Sequence, residues 1–371
     1  MPGNHWANPL NLKKEMGNSD MKPVKIAIIG LRHLHPRSYM LHFTSLAETD
    51  VVAVVEENKQ LRDAFARDYN LSAYDSIESL YAHHNIDLAA IFLPHIDCPD
   101  AALKCIEHGT HVLIEKPMTA NSTSAEKIVA AAKKKNVILT TPYVWRYHPV
   151  VRDIRRILDD GILGSVINCE GRCAAGRLTR YIEGQSEWML DARKSGGGPM
   201  YNLGVHWIDL FNWLLNDRVE SVYGKNVKIN EAYNIEDNSF AILSYQNGVV
   251  LNLNISYTVP DSYPHGRDLY IAIRGTMGVL AWSPAFEGEN DELFICSDAD
   301  HINSAPVRKR LYDLKPYPGY SGVMGYEYLR DVAREVARNG TAPITGEDGV
   351  VVLKIVEAIY RSNESKSICY I

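Results

Sequence analysis

The 371-residue sequence has no apolar run near the roughly 18 residues that a membrane span requires. It has no C-x-x-C pair and no histidine cluster at zinc-like spacing, so no metal centre is expected. Basic clusters are missing as well. Lys and Arg number 39 against 45 Asp and Glu, and this net charge of −6 argues against nucleic acid or an anionic membrane as partner. The segment MPGNHWANPLNLKKEMGNSD has neither the apolar core of a signal peptide nor a twin arginine. Residues 1–20 therefore read as a polar, unpacked tail, with Met21 as an alternative start. The six cysteines read as reduced thiols, which points to the cytoplasm. Cys169 and Cys173 share one face of a strand and fit small buried hydrophobes.

What the sequence does contain is ordinary globular material, 46% hydrophobic and 23% charged, long enough for two domains. The first half alternates strand and helix patterns. Apolar runs at Val24 to Gly30, Val51 to Val55, Asp87 to Leu93, Val112 to Ile114 and Val137 to Thr141 are separated by helical stretches. Gly109 stops one such helix, and Thr123 with Glu126 offers a capping box for another. Continuous apolar strands between helices imply a doubly wound parallel sheet covered on both faces, here over residues 21–148. Ligands of such sheets bind beyond the carboxyl ends of the strands.

After Pro149 the pattern changes. Residues 149–371 predict an α+β domain with a large, mostly antiparallel open sheet and two terminal helices that could pack back on the first domain. Runs from Val219 to Trp282 follow one another with no helix between them, and Asn247-Gly248 marks a hairpin.

The strand VKIAIIG leads into Gly30-Leu31-Arg32-His33-Leu34-His35. A dinucleotide fingerprint, G-x-G-x-x-G, uses its glycines for a tight turn and a close approach to pyrophosphate. Only Gly30 survives here, and an ordinary βα turn is the competing reading. Backbone N–H groups at the helix start could still hold phosphate, with charge added by Arg32. Glu56 ends the second strand, where a carboxylate can accept from an adenosine ribose and repel a 2′-phosphate. NAD is therefore favoured over NADP.

Glu115-Lys116-Pro117 ends another strand at the same sheet edge. Lysine there can stabilise negative charge developing on a substrate oxygen, and the proline could lock a cis turn. Further on, Ser195-Gly-Gly-Gly-Pro-Met-Tyr-Asn202-Leu-Gly-Val-His206-Trp-Ile-Asp209 sets Asn202 and His206 one helical turn apart, with Asp209 following. A histidine beside an amide and a carboxylate can serve as an oriented general base. Tyr143, Trp145, Tyr181 and Trp188 are aromatic candidates for a sugar pocket, although each also suits plain packing.

This order of strand turn, E-K-P and G-G-G-x-x-x-N/D-x-G-x-H-x-x-D, followed by an antiparallel domain, resembles the Gfo/Idh/MocA oxidoreductase family from Met21 onward. The resemblance implies a Rossmann domain, an NAD(P) cofactor at the domain interface, and oxidation or reduction of a sugar, cyclitol or related polyol. It implies Lys116 and His206 as catalytic residues and Asn202 where many members carry aspartate. On the cofactor side it implies Gly30, Arg32, His33, His35, Glu56, Pro94, His95, Glu115, Lys116 and Arg146. On the substrate side the residues themselves offer Tyr143, Trp145, Trp188 and Asp209 as candidates. Cys98 replaces a usual histidine. Two other readings compete: an NAD-using glycoside-cleaving enzyme of the same family, and a non-catalytic sensor of dinucleotide or sugar. The broad open sheet leads us to expect a homodimer or homotetramer.

Overall fold

The computed structural model describes residues 22–260, 262–285 and 290–371. The tail expected at 1–20 lies outside them. The first sheet has six strands: β1 (Val24–Ile29), β2 (Thr49–Val55), β3 (Ser72–Tyr74), β4 (Leu88–Ile91), β5 (His111–Ile114) and β6 (Leu139–Thr140). Their order is β3-β2-β1-β4-β5-β6, and every pairing is parallel. β4 is buried along its whole length, as a strand covered on both faces must be. The strand order reverses between β1 and β4, the switch point at which such sheets open a crevice.

Five helices cover this sheet: α1 (Pro36–Ser45), α2 (Lys59–Tyr69), α3 (Ile77–Tyr81), α4 (Cys98–Glu107) and α5 (Ser122–Lys135). Gly109 adopts φ +75° just past α4, the left-handed conformation that ends a helix cheaply for glycine. The cap of α5 is not the box expected at Thr123 and Glu126. Asn121, in extended backbone, accepts from Ser124 N–H at 2.9 Å, which draws Thr123 into the first helical turn.

The second half starts with α6 (Pro149–Asp159), β7 (Val166–Ala175), α7 (Leu178–Glu183), α8 (Ala192–Ser195) and α9 (Val205–Leu215). Its strands continue as β8 (Val219–Val227), β9 (Asn238–Tyr245), β10 (Val250–Ser256), β11 (Arg267–Gly275), β12 (Gly278–Trp282), β13 (Asn290–Ser297) and β14 (Val307–Asp313). With the terminal β15 (Cys369–Tyr370) they form a sheet ordered β14-β13-β12-β11-β7-β10-β9-β8-β15. Only β7 and β10 run parallel; the rest is antiparallel, and Asn247-Gly248 turns the β9–β10 hairpin. Cys169 and Cys173 both point to the buried face of β7. On that face α9 packs so closely that a Cβ at Gly171 would lie 2.4 Å from Trp207.

The last helices, α10 (Gly322–Arg338) and α11 (Gly346–Ser365), return to the parallel sheet. The Tyr328 hydroxyl meets Thr140 Oγ1 at 2.8 Å, and Glu357 accepts from the Ser122 N–H at 2.6 Å. These bonds seat α10 and α11 on the parallel sheet, α11 also packs along β8, and the carboxyl end of β5 shares a cleft with β7 and α9. No described helix is long and apolar enough to cross a membrane.

Candidate active site

β5 delivers Glu115 and Lys116 to the switch-point crevice, and the Lys116–Pro117 peptide is cis. Lys116 Nζ donates to Asn202 Oδ1 at 2.8 Å and to the Asn202 carbonyl at 2.9 Å. Asn202 sits in a π-helical turn, Met200–Gly204, that runs directly into α9. Its Nδ2 donates to the hydroxyls of Tyr181 at 2.6 Å and Tyr257 at 2.9 Å. Both ends of the amide are therefore fixed, and the carbonyl end must face the ammonium.

One turn along α9, the His206 ring lines the same cleft, while its Nδ1 is enclosed without a partner. Burial pushes the Lys116 ammonium down to about 8, with Glu115 opposing and Arg180 reinforcing the shift. Burial, then Lys116, then His35 hold His206 well below the usual imidazole range, so its ring is neutral at pH 7. A cation near its titration point beside a neutral imidazole suits proton transfer at a carbinol oxygen.

The turn after β1 is built differently from a glycine-rich one. Gly30 has φ +82°, and a Cβ there would lie 2.4 Å from Leu93 Cδ2, so this glycine is required. The buried Glu56 carboxylate accepts from the N–H groups of Leu31 and Asn58, each at 2.9 Å. It thus closes the turn as well as standing where a ribose acceptor was expected. Arg32 is exposed, with its guanidinium 3.7 Å from Asp97. Its carbonyl accepts from Trp188 Nε1 at 2.7 Å and Ser186 Oγ at 3.1 Å. Trp188 consequently clasps the turn and is not among the cleft's lining residues, which corrects its assignment to the sugar pocket.

His33 is buried, and neither ring nitrogen has a partner. His95 gives one nitrogen to the Ser195 carbonyl at 2.8 Å and leaves Nε2 unpaired. Pro94 holds the neighbouring turn, its carbonyl accepting from Asp97 N–H at 2.8 Å. Cys98 is buried at the start of α4.

Glu115 links this turn to the Lys116 corner. Its carboxylate meets His35 Nδ1 at 3.1 Å and accepts from the Tyr39 hydroxyl at 2.5 Å. Ligand atoms of His33, His35 and Glu115 lie within 4.8 Å of one another, a grouping that sequence spacing could not show across so many residues. We read it as a device that orients His35, because Glu115 is already hydrogen-bonded on both oxygens and Lys116 bears electrostatically on both histidines.

Two further expectations need correction. Asp209 does not orient His206 or reach the cleft. It is fully buried, and both its oxygens take hydrogen bonds from Arg146. Arg146 also lies 3.3 Å from Asp348 on α11, so the guanidinium expected on the cofactor side is engaged by two carboxylates. The reason is electrostatic: a buried guanidinium needs a carboxylate more than a neutral imidazole does. Tyr143 is also buried, edge-on to His206 with centroids 6.1 Å apart, whereas Trp145 and Tyr181 do line the cleft.

The cleft itself holds about 710 Å³ and runs from His35 and Ser38 at the start of α1, past Lys116, to His206 and the wall of β7. That size suits the reactive end of a dinucleotide together with a small substrate. The orphaned imidazoles of His33 and His95 and the tight turn at Gly30 fit the same group, since buried polar atoms without partners mark a place for a ligand. Residues 24–143 match the model described as "Oxidoreductase family, NAD-binding Rossmann fold", and residues 155–370 match its C-terminal alpha/beta domain. The chain belongs to the Gfo/Idh/MocA oxidoreductase family.

Within that family it is 28% identical over 245 residues to a trans-1,2-dihydrobenzene-1,2-diol dehydrogenase of Xenopus tropicalis, covering 63% of this chain and 68% of the relative. It is 24% identical over 255 residues to the D-glucoside 3-dehydrogenase of Escherichia coli, covering 64% and 71%. The structure of levoglucosan dehydrogenase with NADH and L-sorbose superposes with a TM-score of 0.79 at 18% identity, over 94% of this chain and 99% of that one. This Gfo/Idh/MocA protein is thus an oxidoreductase with a dinucleotide-binding Rossmann domain.

Proposed function

We propose that the protein transfers a hydride between NAD(H) and a secondary alcohol of a sugar, cyclitol or related polyol. The observation that carries this reading is the convergence of Lys116, Asn202 and His206 on one cleft at the switch point. The carbinol O–H lies between Lys116 and His206. A nicotinamide, when bound, supplies the acceptor for the carbinol hydride. His206 takes the hydroxyl proton, at Nε2 because Nδ1 is enclosed. Lys116 holds the oxygen as its charge rises, and Asn202 fixes the ammonium without exchanging protons. The products are a ketone, a reduced nicotinamide and a proton on the enzyme.

For the cofactor, Gly30, His33, His35 and His95 offer the phosphate and ribose contacts, and Glu56 supports NAD over NADP. The buried Lys116 and His206 weigh against a sensor, since a purely binding site needs neither. The exposed side chains of Tyr223, Phe240 and Ile242 share one face of the large sheet, among polar neighbours such as Lys225 and Asn252, and support a homo-oligomer. A panel of polyols with NAD and NADP, followed by the absorbance of reduced nicotinamide, tests the reading. A free sugar released without net reduced cofactor would favour the glycoside-cleaving alternative.

A further inference from the structure

The chain is acidic overall, at −6, yet its cleft is not. Among the described residues, Lys116, Arg180, Arg267 and Lys315 line it, against one carboxylate, Asp291. That carboxylate is already engaged: Asp291 Oδ1 accepts from Trp282 Nε1 and Ala285 N–H, each at 2.7 Å, and Oδ2 lies 3.6 Å from His148 Nε2. Arg180 and Lys315 form no ion pair with any described residue, and both are exposed to the cleft's solvent. A concave site lined by one sign of charge raises the local concentration of oppositely charged ligand and selects for it.

The dinucleotide's own phosphates do not account for this charge. They seat at the turn after the first strand and the start of its helix in this fold. Leu34, His35 and Ser38 of that region do line the cleft, but none of its four cations comes from there. Arg267 begins β11 and Lys315 follows β14, both in the nine-stranded sheet of the second half.

We infer that the substrate is an anionic polyol, whose carboxylate or phosphate is received by Arg180 and Lys315 while a carbinol reaches Lys116 and His206. This inference rests on the dehydrogenase reading above and narrows its substrate class. A charge-assisted bond from a guanidinium or ammonium to such a group is worth about ten-fold or more in binding.

The test is equilibrium titration of the full-length protein, saturated with NAD, with D-glucose, D-glucuronate and D-glucose 6-phosphate, alongside initial rates on the same three. One or both anions should bind at least about ten-fold more tightly than glucose, and the advantage should shrink as salt rises. The better of the two identifies carboxylate or phosphate as the recognised group. Arg180→Gln and Lys315→Gln should each weaken the anion several-fold and leave glucose and NAD affinity unchanged. Equal or tighter binding of glucose, or no binding of any of the three, overturns the anionic class. Variants that weaken NAD in place of the anion overturn it too, by assigning these cations to the cofactor. Failure of the underlying dehydrogenase reading shows differently: an anion binds tightly, yet no reduced nicotinamide forms.

Discussion

The Lys116 corner and the turn after β1 face the same crevice but are held in opposite ways. At the corner, the ammonium and the whole Asn202 amide are paired before any ligand arrives, through bonds that cross from β5 to the second domain and on to Tyr181 and Tyr257. At the turn, side chains stand where glycines usually do, and His33 and His95 keep buried nitrogens with no partner. The corner is preorganised for a reacting oxygen, whose charge it meets without reorganisation. The turn is incomplete until a ligand supplies its missing acceptors and donors. The division teaches that chemistry and cofactor affinity should respond to different substitutions.

The largest effect should come from the corner. Lys116→Ala removes both charge and positioning, and turnover should fall by about 10³-fold. NAD affinity, measured by fluorescence titration, should change little. A comparable loss of affinity would erase the distinction between the two regions.

The pH profile sharpens it. Alcohol oxidation needs Lys116 charged, and burial brings that group down to about 8, so rate should decline as pH rises through that value. His206 needs to be neutral and is held well below 6.5, so no decline should appear at neutral pH. Asn202→Asp places a carboxylate on the ammonium in place of an amide. It favours the charged form, and the alkaline decline should move to higher pH while activity is retained.

Smaller effects belong to the turn. Glu56→Ala should narrow the preference for NAD over NADP by about ten-fold, and it frees the Leu31 and Asn58 N–H groups, so NAD affinity should also drop. Preference for NADP in the unsubstituted protein would make Arg32 the 2′-phosphate partner instead. Trp188→Phe keeps an aromatic ring but deletes the bond to the Arg32 carbonyl. A net hydrogen bond of about 1 kcal/mol predicts a several-fold weaker NAD complex with kcat unchanged.

The same contrast explains what could be read from the sequence. Lys116, Asn202 and His206 were legible because each sits at a fixed offset from a local marker: a strand end, a glycine run or a helical turn. Asp209 looked equally local, one turn beyond His206. Its partner, however, is Arg146, far away in sequence, and no spacing rule encodes a buried ion pair between distant helices. Trp188 was misplaced for the same reason, since its indole bonds to a backbone carbonyl of the other domain. Five strands of the first half were legible as apolar runs between helices, whereas β3, exposed or half-buried throughout, carries no such run. β14 escaped notice because VRKRLYD alternates exposed and half-buried positions and carries no apolar face. The pairing of β7 with β10 is likewise a long-range choice, made across three helices and two intervening strands.

The central claim is that His206 and Lys116 act on a bound alcohol and do not merely pack. It is tested most directly with His206→Ala, by measuring turnover of an identified polyol and NAD affinity on the same preparation. The account predicts a turnover loss of about 10²–10⁴-fold, as for a positioned general base, with NAD affinity nearly unchanged. Turnover at the unsubstituted rate would contradict it.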